Sequence, residues 1–179
     1  QTGQIRALTE WSIAQAIQDQ RTLRAHGVEV AIALNVSGRL LVDADFRRAA
    51  LALYEGSGAD LILEITETAV IENPKVAAEA IATYQAAGLR ISIDDYGTGL
   101  STLDYLKKIP ASEIKIDQSF VKGMLDNRSD LVMVQSTIAL AHSLERKVVA
   151  EGVEHQGVMD ALIDMNCVVA QGYVIGPPM

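Results

Sequence analysis

Polar side chains that can do chemistry recur along this chain, each near the end of a short apolar run. They are Asn35, Glu64, Glu67, Asp94, Asp95, Lys115, Asp117, Glu151, Glu154 and Gln171. Any one of them has an ordinary alternative role, because Asn and Asp often cap helices and an exposed Glu is usually solvated. Their recurrence at one run after another is harder to attribute to loops, and it indicates a shared site.

A cluster of carboxylates at such a site would need compensating positive charge, because two like charges about 4 Å apart repel by roughly 4 kcal/mol at an effective dielectric of 20. Oxygen ligands without Cys or His favour Mg²⁺ or Mn²⁺ over zinc. The adjacent Asp94 and Asp95 could serve two ions. Paired ions activate water and stabilise the charge on a phosphoester during in-line displacement. The residues therefore predict metal-dependent hydrolysis of a phosphodiester.

Other kinds of site have weaker support. His26, His142 and His155 stand at no spacing typical of metal ligands. Ser37 and Ser101 could be imagined as nucleophiles, but no local motif pairs either with a histidine base. Zinc ligation and serine-nucleophile chemistry are therefore not predicted.

The elements that must position these residues alternate between strand and helix. We predict strands at 30–36, 61–66, 89–94, 113–117, 148–151 and 168–171. We predict helices at 5–25, 45–54, 74–87, about 102–107, 130–144 and 156–165. This alternation is typical of parallel strands joined by crossover helices. Because the carboxyl ends of parallel strands lie at one edge, the polar residues should converge there.

The faces of the predicted strands point to a particular fold. Leu61, Leu63 and Ile65 share one face of the second strand, while Glu64 and Thr66 lie on the other. A doubly wound sheet is usually apolar on both faces. A barrel whose interior opens into a site at its carboxyl rim explains the polar face better. We predict an α/β fold, a TIM-like (β/α)8 barrel with about six βα units present.

Composition limits the class of protein. The 179 residues, 49% of them hydrophobic, are enough for the core of one domain, and the apolar runs are too short to cross a bilayer. A net charge of −8 and 4% aromatic residues argue against binding to DNA or RNA. Cys167 is the one cysteine, so a reducing compartment suits the chain. We expect a cytoplasmic location, with Leu8, Trp11 and Ile17 of the first helix packed against the barrel.

Six motifs of the chain resemble, in order, the signatures of the EAL domain family of bacterial cyclic-di-GMP phosphodiesterases. They are Asn35-Val36-Ser37, Glu64-Ile65-Thr66-Glu67, Asp94-Asp95-Tyr96-Gly97-Thr98-Gly99, Lys115-Ile116-Asp117, Glu151-Gly152-Val153-Glu154 and Gln171-Gly172-Tyr173. Tyr96 stands where the family more often has Phe, and Leu100 where it often has an aromatic residue. Both differences are mild.

The resemblance implies hydrolysis of cyclic di-GMP to linear pGpG with two ions of Mg²⁺ or Mn²⁺, and it allows inhibition by Ca²⁺. The implied metal ligands are Asn35, Glu64, Asp94, Asp95 and Glu151. The implied catalytic residues are Lys115, Glu151 and Asp95, and the implied substrate-binding residues are Asn35, Asp94 and Gln171. Glu67 would anchor the loop 96–102, which in this family links metal binding to dimerisation. Asp117 and Glu154 would be supporting residues, with loop stabilisation an equal alternative.

The same resemblance implies a larger assembly. Two more strands should precede residue 1, carrying the Glu-Ala-Leu motif, and a final helix should follow, so that 1–179 is a partial EAL domain. A homodimer, fusion to sensory or GGDEF domains, and membrane attachment only through such other domains are implied as well. The alternative function is a catalytically inactive domain that binds cyclic di-GMP or mediates regulatory dimerisation.

Overall fold

A computed structural model describes residues 2–98 and 103–177 of the chain. The strands are β1 (Ile32–Asn35), β2 (Leu61–Thr66), β3 (Arg90–Tyr96), β4 (Glu113–Ile116), β5 (Lys147–Glu151) and β6 (Val169–Gln171). The helices are α1 (Thr2–Ala25), α2 (Gly38–Leu41), α3 (Ala44–Tyr54), α4 (Glu67–Glu72), α5 (Pro74–Ala86), α6 (Leu103–Lys108), α7 (Gln118–Gly123), α8 (Arg128–Ser143) and α9 (Gln156–Asp164).

The six strands form one parallel sheet in the order β1-β2-β3-β4-β5-β6. Each strand neighbours the next along the chain, and the sheet curves into a half-barrel with helices on its outer face. The parallel α/β architecture predicted from the sequence is confirmed. The further prediction, of two more strands and a final helix in the same domain, stays a prediction.

The core lies between the outer face of the sheet and the helices. Alternate residues of the strands, such as Leu63, Ile91 and Ile114, are at most 1% exposed and pack against Phe46 and Tyr84 of the helices. This is the apolar face expected from the alternation in the sequence. The opposite face of each strand lines the interior of the half-barrel and carries the ionisable residues.

All six strands and six of the helices lie within a few residues of their predicted positions. The short helices α2, α4 and α7 were not predicted. Each begins within three residues of a strand end, and none is longer than six residues, too short to show a helical period. The three helices shape the rim where the predicted site residues lie.

Helix α1 packs differently from the prediction. Ile17 is buried as expected, but Leu8 and Trp11 are each 60% exposed. The buried positions of the helix include Ile13 and Gln20, which lie on its other face. Within residues 2–98 and 103–177, no helix combines the length and apolar character that a membrane span requires.

Candidate active site

Four ionisable side chains meet inside the half-barrel near the carboxyl ends of its strands. The ammonium of Lys115 on β4 lies 2.9 Å from Glu64 Oε1, 3.1 Å from Asp94 Oδ1 and 2.7 Å from Glu151 Oε1. The exposed fractions of these side chains lie between 6% and 17%. One lysine therefore joins carboxylates from three different strands in a largely desolvated setting.

The strand register explains why these residues meet. Glu64 on β2 is paired with Ser92 on β3, and Ser92 is paired with Glu113 on β4. Lys115 on β4 is paired with Val149 on β5, and side chains two residues apart on a strand share a face. Ser92 and Asp94 therefore point into the half-barrel together with Glu64 and Lys115. The convergence predicted from the sequence follows from this in-register parallel arrangement.

The electrostatics of the cluster are dominated by burial and by the central lysine. Burial alone lowers the pKa of Lys115, but hydrogen bonds to Glu151 and Glu64 and the charges of Glu64 and Asp94 outweigh it, so that the pKa is raised. Burial raises the pKa of Glu151, against the opposing effect of Lys115. Lys115 thus stays protonated at neutral pH. Three carboxyl groups therefore share one ammonium.

Asp94 and Asp95 both belong to the site although they are neighbours in a strand, where successive side chains normally point to opposite faces. Between Ile93 and Tyr96 the β3 strand has one more residue than β4 has between its paired residues, which is a β-bulge. Asp95 has a φ of 55°, unusual for a residue with a side chain, and its N–H donates to Asp94 Oδ1 at 3.0 Å. The bulge turns the second carboxylate toward the first.

The residues present fit a bound cation. Carboxylate oxygens of Asp94, Asp95 and Glu151 lie within 4.8 Å of one another, and all three residues are partly buried. Burial, followed by the charges of Asp94 and Asp117, raises the pKa of Asp95. Oxygen donors in such a group suit Mg²⁺ or Mn²⁺. Glu64 stands beside this trio, connected to it through Lys115.

Glu67 lies at the start of α4 and holds the segment that follows β3. Its side chain is buried, and its Oε2 accepts a hydrogen bond of 2.8 Å from the N–H of Gly97. Gly97 has a φ of 103°, and a side chain there would collide with Met133 and Phe120. The predicted anchoring of the loop 96–102 by Glu67 is compatible with this contact at residue 97, while residues 99–102 lie outside the described residues.

The remaining predicted residues surround this cluster. Asn35 is paired with Glu64 at the end of β1, and Gln171 with Glu151 at the end of β6, and both are exposed. Asp117 caps α7 by accepting a hydrogen bond of 2.9 Å from the N–H of Ser119. Glu154 forms an ion pair with Lys122, at 2.9 Å. Lys122 carries no motif or periodic signal in the sequence, and only the fold brings it to this place.

A cavity of about 470 Å³ opens beside the cluster. Glu151 forms part of its wall and so connects it to the carboxylates. The other lining side chains include Gln118, Lys122, Glu154, Gln171 and Tyr173. The carboxylates and the cavity together could hold a ligand with a phosphate at one end and a larger group beside it.

Comparison with known proteins places this arrangement in a family. The sequence model described as the EAL domain matches residues 1–178. The chain is 36% identical over 182 residues to the bifunctional diguanylate cyclase/cyclic di-GMP phosphodiesterase MucR of Pseudomonas aeruginosa, covering 99% of this chain and 27% of that protein. It is 32% identical over 181 residues to the cyclic di-GMP phosphodiesterase PA2567 of the same organism, covering 99% of this chain and 31% of that protein.

Solved structures give the same result. A structure of the PaMucR phosphodiesterase in complex with c-di-GMP has a TM-score of 0.92 and 34% identity, covering 99% of this chain and 74% of that one. The EAL domain of Mycobacterium smegmatis DcpA has a TM-score of 0.88 and 33% identity, covering 96% and 79%. The chain spans about a third or less of the full-length relatives MucR and PA2567. The predicted TIM-like barrel fold is confirmed, and the chain belongs to the EAL domain family.

Proposed function

We propose that this chain hydrolyses one phosphodiester bond of cyclic di-GMP and releases linear pGpG, using Mg²⁺ or Mn²⁺. The observation that carries the proposal is the placement of Lys115 among Glu64, Asp94 and Glu151, with Asp95 beside them at the bulge. The names of the relatives MucR and PA2567 support the choice of cyclic di-GMP as substrate.

The excess of acidic over basic groups in the cluster supports the cation. Three carboxyl groups that share one ammonium are costly in a site this buried, and divalent ions offset that cost. Asn35, Glu64, Asp94, Asp95 and Glu151 would hold the ions. When bound, such ions make water a better nucleophile and stabilise charge on phosphoryl oxygens.

The chain's own side chains then position the reactants. Lys115 would donate a hydrogen bond to the attacking water and Glu151 would accept one from it, which directs the water oxygen at the phosphorus. The bond that breaks joins phosphorus to the 3′ oxygen, which leaves with a proton, and the water oxygen becomes part of the new 5′-phosphate. Asn35, Asp94 and Gln171 would contact the substrate.

The relatives also suggest partners for this chain. MucR is named as bifunctional, with a cyclase activity in addition to the phosphodiesterase, and this chain matches 27% of it. We therefore propose that the full protein joins this domain to a GGDEF or sensory domain and acts as a homodimer. Glu67, through its hydrogen bond to Gly97, would link the metal site to the dimer.

The direct test is hydrolysis of cyclic di-GMP by the full protein, with pGpG separated and quantified by chromatography. We expect turnover with Mg²⁺ or Mn²⁺ and none in excess chelator. Asp94→Asn should lower kcat by at least about a hundredfold, because the loss of a carboxylate weakens a ligand set that the cluster shares. Asp126→Asn, an exposed Asp-to-Asn change at the surface, is the matched control.

Two outcomes would contradict the proposal. Full turnover in the presence of chelator would exclude the metal-dependent mechanism. Tight binding of cyclic di-GMP with no hydrolysis under any metal would instead support the alternative, a receptor that binds the dinucleotide without cleaving it.

A further inference from the structure

Lys122 belongs to the helix α7, which follows the strand of Lys115, and it reaches across to the turn that follows β5. Its Nζ lies 2.9 Å from Glu154 Oε1, and this bond lowers the pKa of Glu154. The turn that connects Glu151 to Glu154 consists of Gly152 and Val153. The ion pair therefore joins the segments that follow β4 and β5, the two strands that carry Lys115 and Glu151.

The turn packs closely on α7. Gly152 has a φ of 68°, and a side chain there would lie 2.6 Å from the Cβ of Gln118 and 3.2 Å from the Cε of Lys122. This contact favours glycine on two grounds, since the positive φ is itself strained for other residues. Lys122 can reach Glu154 because the backbone of the turn comes this near.

The other side of the same turn is attached to the segment after β6. The N–H of Val153 donates to the carbonyl of Gln171 at 3.0 Å, and the N–H of Val174 donates to the carbonyl of Val153 at 3.1 Å. A side chain at Gly172 would lie within 2.6 Å of the Val153 backbone. The turn therefore sets the distance between α7 and the segment carrying Gln171 and Tyr173.

Residues from both attachments line the cavity of about 470 Å³ next to Glu151. Gln118 and Lys122 of α7 line it, together with Gln171 and Tyr173 and with Glu154. A ligand whose phosphate lies at the carboxylates would extend into this space. Glu154 is one of the residues that line this space, and its side chain is held by the ion pair with Lys122.

We propose that Lys122 is a positioning residue for substrate binding, which acts by fixing Glu154 and the turn that forms the cavity. The inference rests on the proposed function, because it assumes that cyclic di-GMP lies partly in this cavity. Lys122 acts before the chemical step, so its loss should raise KM for cyclic di-GMP more than it lowers kcat.

The expected size of the change in KM follows from the solvent exposure of the Lys122–Glu154 ion pair. The side chains of Lys122 and Glu154 are 44% and 34% exposed, so the pair is of the partly solvated kind that contributes modestly. Lys122→Met should therefore raise KM about fivefold, with a smaller change in kcat. Lys122→Arg, which keeps the charge and the reach, should restore KM to within about twofold of the wild-type value.

The experiment measures kcat and KM for cyclic di-GMP with the full protein in Mg²⁺, for wild type, Lys122→Met, Lys122→Arg and Lys75→Met. Lys75 is exposed on α5, so Lys75→Met removes the same charge elsewhere. Lys122→Glu alone should raise KM, and the charge reversal that combines Lys122→Glu with Glu154→Lys should bring KM part of the way back to the wild-type value. Circular dichroism and melting temperature identify any variant that has not folded.

The results separate the two proposals. If the wild type neither binds nor hydrolyses cyclic di-GMP, the proposed function fails. If the wild type is active but Lys122→Met has the same KM as Lys75→Met, the role of Lys122 is overturned while the function stands. A fall in kcat alone, with KM unchanged, would also overturn it, because a positioning residue for binding must change KM.

Discussion

Lys115 Nζ lies 2.7 Å from Glu151 Oε1, so that residues from adjacent strands form the closest contact of the buried cluster. The same ammonium also contacts Glu64 and Asp94, and within the part of the chain that the structure describes it is the one cation paired with these carboxylates. The lysine therefore determines how near to one another the carboxylates can lie. This makes it the first residue to change in testing how the cluster is held together.

Lys115→Met should lower kcat by at least about a hundredfold and should also lower the melting temperature measured without metal. The reason is that removing one partner of a buried ion pair leaves charges unpaired, which costs about 3 to 5 kcal/mol. Mg²⁺ should raise the melting temperature of the variant more than that of the wild type, because the ions replace the missing positive charge. Lys75→Met is the control. Equal stabilisation of both proteins by Mg²⁺ would contradict this account.

Glu67→Ala should lower kcat about tenfold without removing a carboxylate from the metal cluster, because it deletes the acceptor of the Gly97 N–H. Glu67→Gln keeps an oxygen at this place and should lie between wild type and Ala. Hydrogen exchange of the Gly97 amide, followed by NMR, gives a local readout: exchange should be faster in Glu67→Ala. Unchanged exchange together with full activity would show that Glu67 does not hold this segment.

The sequence was sufficient to predict the sheet and the convergence of its strand ends, but not the geometry at Asp95. The alternation of Leu63 and Ile65 with Glu64 is a local pattern, and it determines which face of β2 is buried. The bulge in β3 depends instead on how β3 pairs with β4, whose residues lie about twenty positions further along the chain. No local signal at Asp95 indicates its positive φ, since Asp is common in ordinary strand ends as well.

The roles of Asp117 and Glu154 show the same limit. Both were predicted as supporting residues with loop stabilisation as an equal alternative. Asp117 caps the short helix α7, which the sequence does not reveal because six residues hold less than two turns. Glu154 pairs with Lys122, thirty-two residues earlier in the chain, and such a contact becomes visible only when the strands β4 and β5 are placed side by side.

Gln20 provides a test of stability away from the site. Its side chain is fully buried, and its amide donates to the carbonyls of Val30 and Asp60 and accepts from the Asp60 N–H at 2.6 Å. It thereby joins α1 to the segments that precede β1 and β2. Gln20→Ala should lower the free energy of unfolding by about 2 to 4 kcal/mol, because three hydrogen bonds of a fully buried side chain are lost and a cavity is left in its place.

The control for this change is Gln18→Ala, an exposed position on the same helix, which should alter stability by less than about 0.5 kcal/mol. Both free energies come from urea unfolding. The kcat of folded Gln20→Ala should stay near that of the wild type, since the change is at the opposite end of the strands from the cluster. Similar stability of the two variants would show that the three hydrogen bonds contribute little.

The buried hydroxyl of Tyr84 should make the stability of the protein depend on pH. Its side chain is fully buried, and within the described residues its hydroxyl has no hydrogen-bond partner. Burial raises the pKa of Tyr84 to about 12, from an ordinary value of 10. An unpaired buried hydroxyl costs about 1 to 3 kcal/mol, so Tyr84→Phe should be more stable than the wild type by about 1 kcal/mol at pH 7.

The sign of the pH dependence follows from the direction of the shift. Because the folded state holds the Tyr84 proton more tightly than the unfolded state, this contribution to stability is complete below pH 10 and is lost as pH rises toward 12. The advantage of Tyr84→Phe should therefore grow above pH 10, by about 2 to 3 kcal/mol at the upper limit. Urea unfolding at pH 7, 9, 10 and 11 measures it. Tyr173→Phe, which changes an exposed tyrosine, is the control and should show no such increase. A constant difference in stability between Tyr84→Phe and wild type over this pH range would contradict the prediction, because it would mean that the Tyr84 hydroxyl ionises as readily in the folded protein as in the unfolded chain.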